Sequence, residues 1–264
     1  MTDKALLALE DGSVFYGVSF GISGEATGEV VFNTAMTGYQ EILTDPSYYK
    51  QIVTLTHPHI GNVGINDDDE ESNRVYVSGL IIRDLSITAS NWRSENNLAE
   101  YLKKHKIVAI AGIDTRQLTR HIRKNGAMKG YIIVGSDIKI ENAINKAKSF
   151  GGLVGMDLAK EVTTQTSYIW SQGVWHLKRK STTKNKNKHR IVAYDYGIKR
   201  NILKILVDLG CEVTVVPAKY TAEEVLKEKP DGIFLSNGPG DPDACDYAIS
   251  AIKKIITTGI PVFG

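Results

Sequence analysis

The loop over residues 237–242, with the sequence NGPGDP, carries residue types that suit the binding of a small polar ligand. Gly238 and Gly240 lack a Cβ, so a ligand can approach the main chain closely, and Pro239 restricts the backbone that presents the N–H groups. Such a loop suits an oxyanion or an amide. The same residues are usual in a tight turn, so the loop by itself leaves both interpretations open.

Cys211 and Cys245 are the two cysteines of the sequence, and neither is predicted to be a nucleophile. Cys245 lies near the first turn of a predicted helix, where the helix dipole favours a thiolate, yet no glycine-flanked turn surrounds it. Cys211 follows Gly210 at the start of a predicted strand and fits the role of a small buried side chain. The two cysteines make no disulfide framework and lack paired zinc-site spacing, which favours a cytoplasmic protein.

Other clusters of potential ligands predict no metal site. His57 and His59 flank a proline without the further ligands that zinc requires. Residues 67–71 (DDDEE) lack the glycine and the ligand spacing of a calcium loop, and indicate a solvated surface. No P-loop sequence for ATP is present.

The elements that position the loop are strands alternating with helices from residue 191 onward. Strands are predicted at 191–196, 211–216, 233–236 and 260–263, and helices at 199–209, after a capping box at 221–224, and at 244–258. In the first of these helices the apolar residues at 202, 203, 205, 206 and 209 are expected to face inward. This alternation predicts a flavodoxin-like parallel sheet covered on both faces, with its ligand at the carboxyl ends of the strands.

The N-terminal half predicts a small mixed α/β domain. Asp11 and Gly12 mark a hairpin turn, and further strands are predicted at 29–32, 51–56, 75–82, 107–110 and 128–134. Helices are predicted at 98–105 and at 115–124, the second capped by Asp114 and followed by Gly126.

A basic segment separates the two halves. Residues 178–190 hold seven Lys or Arg and no acid, whereas the whole chain carries only +2, so the remainder is acidic. Without aromatic residues for base stacking, this segment predicts a solvated linker rather than a nucleic-acid site. We expect an N-terminal domain at 1–150, a connector at 151–190 and a second domain at 191–264. No apolar run is long enough to span a membrane.

Longer motifs resemble a known family. Residues 191–264, with FLSNGPGDP at 234–242, are similar to the opening of a class I glutamine amidotransferase domain. The N-terminal half resembles the small subunit of carbamoyl-phosphate synthetase in six ordered motifs: 6–12 (LLALEDG), 28–34 (GEVVFNT), 36–47 (MTGYQEILTDPS), 57–62 (HPHIGN), 113–116 (IDTR) and 155–158 (GMDL). The resemblance weakens at 138–150 and fails in the basic segment.

The resemblance implies hydrolysis of glutamine by a cysteine, with ammonia passed to a large partner subunit that makes carbamoyl phosphate for arginine and pyrimidine synthesis. ATP and magnesium are expected on that large subunit, with no cofactor in this chain. In the family the cysteine lies in a Gly-x-Cys-x-Gly turn after a strand. Gly264 matches the first glycine of that turn. The nucleophile, histidine and glutamate are therefore expected beyond Gly264, and residues 1–264 are expected to be inactive alone.

Three residues of this sequence match glutamine-binding positions of the family. Ser47 corresponds to a serine that contacts glutamine from the N-terminal domain, which implies a site between two domains. Gly238 and Gly240 correspond to glycines whose backbone touches glutamine, and the Gly238 N–H is the expected oxyanion donor.

Two other functions remain open. One is a non-catalytic binding or regulatory subunit that holds a large synthetase through its N-terminal domain. The other is an amidotransferase of anthranilate or GMP synthesis, which the match over residues 1–134 disfavours. The sequence predicts no nucleic-acid or membrane partner.

Overall fold

The computed structural model describes residues 3–177 and 189–264. The chain forms two compact units, of which the first comprises Met1–Thr44 and Tyr48–Leu153, and the second comprises Asp45–Ser47 and Val154–Gly264. Of the predicted linker, residues 178–188 lie outside the described residues, whereas His189 and Arg190 already belong to a strand. The predicted domain limits at 150 and 191 stay predictions.

The first unit is built on a sheet that closes on itself. Its strands follow one another around the sheet in the order β1-β2-β8-β6-β4-β3-β9, while β5 and β7 pair separately. The strands are β1 (Lys4–Leu9), β2 (Val14–Ser19), β3 (Gly24–Asn33), β4 (Gln51–Leu55), β5 (His59–Ile60), β6 (Gly79–Ile81), β7 (Asp84–Leu85), β8 (Val108–Ala111) and β9 (Met128–Val134).

Strand β1 shows why the first unit needs helices outside the sheet. Leu7 and Leu9 lie in one apolar cluster with residues of the other strands, whereas Leu6 and Ala8 lie in a second cluster with Ala143. Because successive side chains point to opposite faces of a strand, both faces of β1 are buried. Helix α4, which contributes Ala143, covers the outer face.

The helices of the first unit are α1 (Tyr39–Thr44), α2 (Leu98–Lys104), α3 (Thr115–Asn125) and α4 (Ile140–Ser149). The two predicted helices and the cap are confirmed, since Asp114 Oδ1 accepts a hydrogen bond from Gln117 N at 2.8 Å. The Asp11–Gly12 turn is confirmed, with Gly12 at φ +93°. The strand predicted at 75–82 is shorter than expected, and α1 and α4 were not predicted.

The second unit contains α5 (Ala159–Val162), β10 (Tyr168–Trp170), β11 (His189–Asp195), α6 (Arg200–Asp208), β12 (Cys211–Pro217), α7 (Ala222–Lys227), β13 (Gly232–Leu235), α8 (Asp246–Ile256) and β14 (Val262–Phe263). The sheet order is β10-β12-β11-β13-β14. Strands β11 to β14 run parallel, as predicted, whereas β10 joins the edge antiparallel to β12 and was not predicted. The fold class is therefore mixed α/β, with parallel strands at the core of this unit.

The inward face of α6 is narrower than the sequence predicted. Leu203 and Val207 are buried, whereas Ile205 and Leu209 are 45% and 70% exposed. The prediction was wrong for these last two residues because β-sheet contact covers only one stripe of a nine-residue helix. Among the described residues, no helix has both the length and the apolar character that crossing a membrane requires.

Candidate functional site

Two loops leave the sheet side by side at the carboxyl ends of neighbouring parallel strands. Tyr194 of β11 is paired in register with Leu235 of β13, so the loops that start at Tyr196 and Ser236 begin close to each other. This edge is where parallel α/β sheets bind their ligands. The loop with the sequence NGPGDP is the second of the two.

Asp195 anchors the first loop from within the protein. Asp195 is only 6% exposed, and its Oδ1 accepts hydrogen bonds from Gly197 N at 2.9 Å and Ile198 N at 2.8 Å. Its Oδ2 accepts from Thr164 N at 2.7 Å. Burial raises the pKa of Asp195, and these three N–H donors oppose that rise. The carboxylate therefore holds the backbone of residues 196–198 in one conformation.

Gly197 lets three segments of the second unit approach one another. A Cβ at this position would lie 3.1 Å from Pro46 Cβ, 3.1 Å from Pro239 Cδ and 3.2 Å from Gly238 Cα. Its φ of +124° is also a conformation that side-chain-bearing residues rarely adopt. Glycine is thus required here both for space and for backbone conformation.

Asn237 connects the two loops to Ser47. Its Nδ2 donates hydrogen bonds to Ser47 Oγ at 2.8 Å and to Gly197 O at 2.9 Å. Ser236 supports the same loop, because its Oγ accepts from Tyr196 N at 2.9 Å and donates to Asn237 O at 2.7 Å. Since Asp45–Ser47 belongs to the second unit, the contact between Asn237 and Ser47 lies within that unit. The site between two domains that the resemblance implies stays a prediction.

The turn that carries Ser47 is itself held by a charged residue. Asp45 is 8% exposed, and its Oδ1 accepts a hydrogen bond from Ser47 N at 2.9 Å. Lys199 Nζ lies 3.5 Å from Asp45 Oδ2. The backbone position of Ser47 is therefore fixed independently of Asn237.

The bend at Gly238 presents backbone donors to the outside. Gly238 and Gly240 are exposed, whereas Pro239 between them is buried. Within residues 3–177 and 189–264, the N–H groups of Gly238 and Gly240 donate no hydrogen bond to another described residue. The N–H groups of Gly238 and Gly240 are therefore available to a ligand oxygen.

Asp241 fixes the far side of the bend. Its Oδ2 accepts a hydrogen bond from Gly155 N at 3.0 Å, and its Oδ1 accepts from Asp243 N at 3.0 Å. Gly240 has φ +86°, and a Cβ there would lie 2.7 Å from Met156 O. The segment at 155–158 (GMDL) thus supports the loop from behind.

Cys245 lies beside the bend but in an environment that disfavours a thiolate. A cavity of about 250 Å³ is lined by Gly238, Gly240, Tyr196 and Cys245, with apolar side chains of α8. Cys245 Sγ lies 3.6 Å from Asp157 Oδ1, and burial raises the pKa of the thiol, with Asp157 and Asp241 raising it further. The thiolate that the helix dipole was expected to favour is therefore opposed by burial and by two carboxylates.

The structure thus brings Ser47 to the residue that precedes Gly238, and it adds two residues that sequence reasoning missed. Asp195 and Asn237 hold the loops, and the signal that could have revealed them is a polar residue at or just beyond the carboxyl end of a buried strand. No group of three or more His, Cys, Asp or Glu side chains that could hold a metal occurs within the described parts of the chain.

Comparisons with known proteins give the following matches. Residues 7–132 match the family model "Carbamoyl-phosphate synthase small chain, CPSase domain", and residues 192–264 match "Glutamine amidotransferase class-I". The chain is 63% identical over 267 residues to the carbamoyl phosphate synthase small chain of Pectobacterium atrosepticum, covering 100% of this chain and 70% of that protein. The small chain of Escherichia coli K12 is 60% identical with the same coverage.

A solved aminopeptidase from Aneurinibacillus sp. strain AM-1 matches with a TM-score of 0.31 and 12% identity, over 89% of this chain and 58% of its own. A similarity this low does not indicate a shared fold.

Proposed function

Because this chain belongs to the carbamoyl phosphate synthase small-chain family and contains a class I glutamine amidotransferase domain, we propose that it binds glutamine at the Gly238 bend. The protein then hydrolyses glutamine to glutamate and ammonia. A large synthase subunit, which binds ATP and Mg²⁺, uses the ammonia to make carbamoyl phosphate. No cofactor is assigned to this chain.

The observation that carries the proposal is the pair of unengaged N–H groups at Gly238 and Gly240, which follow in the chain the asparagine that is bonded to the Ser47 hydroxyl. Hydrolysis of an amide passes through a tetrahedral intermediate with a negatively charged oxygen. A rigid N–H donor at that oxygen lowers the barrier by about 3 kcal/mol. We assign this role to Gly238 N–H, and contacts to the bound glutamine to Gly240 and Ser47.

We assign the nucleophile of this reaction to neither cysteine of residues 1–264. Cys245 is unsuited because its thiol is buried among carboxylates, which raises its pKa. Cys211 lies on β12, and burial raises the pKa of its thiol as well.

The proposal is tested with the protein encoded by the whole gene, purified with its large subunit. Calorimetric titration with glutamine and steady-state ammonia release are measured for the wild type and for Ser47→Ala. We expect glutamine binding in the wild type and a raised KM in Ser47→Ala. Absence of both glutamine binding and ammonia release in a folded wild-type protein contradicts the proposal and favours a non-catalytic subunit.

A further inference from the structure

We propose that Asn237 is a positioning residue that aims the hydroxyl proton of Ser47 at an acceptor oxygen of the bound ligand. This inference rests on the proposed glutamine site and adds a residue to it. Asn237 precedes the oxyanion donor in the chain, and its side chain reaches Ser47 across the loop that follows β11.

The orientation of the Asn237 amide is fixed by chemistry. Gly197 O is a carbonyl oxygen and can only accept a hydrogen bond, so the amide atom 2.9 Å away must be the nitrogen. An exchange of the amide oxygen and nitrogen would place two acceptors against each other. The second proton on the same nitrogen then points to Ser47 Oγ, 2.8 Å away.

This orientation determines what the Ser47 hydroxyl does. A hydroxyl has one proton to donate and two lone pairs to accept with. Because Ser47 Oγ accepts from Asn237, its own proton is directed elsewhere, and no described residue accepts it. Ser47 is thus prepared as a donor, which suits a carboxylate or carbonyl oxygen of glutamine.

Asn237 is not needed to hold the backbone of Ser47. The Ser47 N–H is bonded to Asp45 Oδ1 at 2.9 Å, and Asp45 is paired with Lys199 at 3.5 Å. Removal of the Asn237 amide therefore affects the direction of the hydroxyl more than the place of the turn. It also removes the hydrogen bond to Gly197 O, whose neighbours are anchored by Asp195.

The amide oxygen supplies an independent observation. Asn237 Oδ1 is inaccessible to solvent and has no hydrogen-bond partner among the described residues. A buried acceptor without a donor costs free energy, so fold stability alone does not explain an asparagine at this position. An asparagine at this position is explained when its nitrogen is required by two acceptors at once.

The test uses Asn237→Asp, which keeps the shape of the side chain and removes the donor nitrogen. A carboxylate facing Ser47 Oγ turns the hydroxyl proton inward, so the ligand loses its donor. We expect the KM for glutamine to rise about tenfold or more, with a smaller change in kcat, because a hydrogen bond to a charged or polar ligand oxygen is lost. The assays are ammonia release and calorimetric titration with L-glutamine, on the protein encoded by the whole gene with its large subunit.

A double-mutant cycle separates positioning from a merely structural role. In a Ser47→Ala background there is no hydroxyl to aim, so Asn237→Asp is expected to add little to the KM already raised by Ser47→Ala. Ser236→Ala is the matched control, since it removes two hydrogen bonds of the same loop without contacting Ser47. Its effect is expected to add to that of Ser47→Ala in full.

Asn237→Ala provides a second variant if the aspartate prevents folding, as judged by loss of a cooperative melting transition. It removes the amide without adding charge, and its effect on KM is expected to be smaller than that of Ser47→Ala and absent in the Ser47→Ala background. Full additivity of the Asn237 and Ser47 substitutions in a wild type that binds glutamine overturns the inference and leaves the proposed function intact. A folded wild type that binds no glutamine overturns both.

Discussion

Replacement of Gly238 by alanine tests whether the bend after β13 has the close backbone packing that its role requires. A Cβ at Gly238 would lie 2.1 Å from Tyr196 O and 2.9 Å from Tyr196 C. Both are backbone atoms, and they follow directly on Asp195, whose carboxylate holds the N–H groups of Gly197 and Ile198. The first loop is therefore not free to move aside, and the alanine must displace the Gly238 bend instead.

The size of the effect follows from these distances. Forcing an extra carbon into a packed region typically costs about 1–3 kcal/mol of stability. Displacing an oxyanion donor costs about a hundredfold to a thousandfold in kcat. We therefore expect Gly238→Ala to lower the urea unfolding midpoint moderately and to lower kcat for ammonia release much more than the stability change accounts for.

Gly259→Ala is the matched control. Gly259 follows α8 with φ +77°, and an added Cβ there meets no atom within 4 Å. Alanine in this conformation costs about 1–2 kcal/mol, which is close to the loss expected for Gly238→Ala. Gly259→Ala is expected to be less stable than the wild type and to have the wild-type kcat. Wild-type kcat in Gly238→Ala, or an equal loss of kcat in both variants, would refute the assignment of the oxyanion donor.

Three further outcomes are expected. Burial raises the pKa of Asp195 above its usual 3.8, so the stabilisation from its protonation is full below pH 3.8 and is lost as the pH rises through the higher folded-state value. Asp195→Asn should remove this part of the pH dependence of urea unfolding. It should also lower stability at every pH, because one of the three backbone N–H groups that donate to Asp195 then faces an amide nitrogen. An unchanged pH profile would contradict the assigned cause. Cys245→Ala should leave kcat for ammonia release unchanged in the protein from the whole gene, and loss of activity would restore Cys245 as a nucleophile. Thr221→Ala should cost about 1 kcal/mol in urea unfolding, because the Thr221 hydroxyl caps α7 and Glu224 bonds back to it, whereas an unchanged midpoint would show that the cap contributes nothing.

The sequence predicted the second unit well because its signals are local. The capping box at Thr221 and the alternation of apolar strands with helices depend on residues close to one another in the chain. The antiparallel strand β10 was missed, since only three residues, Tyr168 to Trp170, define it, and two of them, Tyr168 and Ile169, are exposed. A short exposed edge strand has no periodic apolar pattern.

The closed sheet of the first unit could not be predicted from local signals. Its closure depends on pairing β1 with β9, more than a hundred residues apart in the chain, for example Leu7 with Ile132. Periodicity identifies such strands but does not say which partner each one takes. Helix α4 was missed for a related reason, since its buried face consists of Ala143 and Ala147, and alanine gives a weak apolar signal.

At the site, the glycine bend was evident from residue types, whereas the role of Asn237 was not. An asparagine before Gly-Pro-Gly is also an ordinary turn residue. Its contact with Ser47 joins positions 190 residues apart, which no spacing rule anticipates. The glutamine contacts assigned to Ser47, Gly238 and Gly240 stay predictions.

The membership of Asp45–Ser47 in the second unit bears on how this gene can be cut and recombined. A fragment that starts at Val154 leaves the Asn237 amide without its hydroxyl acceptor and Lys199 without its carboxylate. Chimaeras that exchange the N-terminal halves of two relatives therefore also exchange the tripeptide that bonds to Asn237 and pairs with Lys199. An N-terminal half without Asp45, Pro46 and Ser47 leaves both partners of the second unit without their contacts. Grafting Asp45, Pro46 and Ser47 on a loop is the smallest change that restores these contacts in such a hybrid.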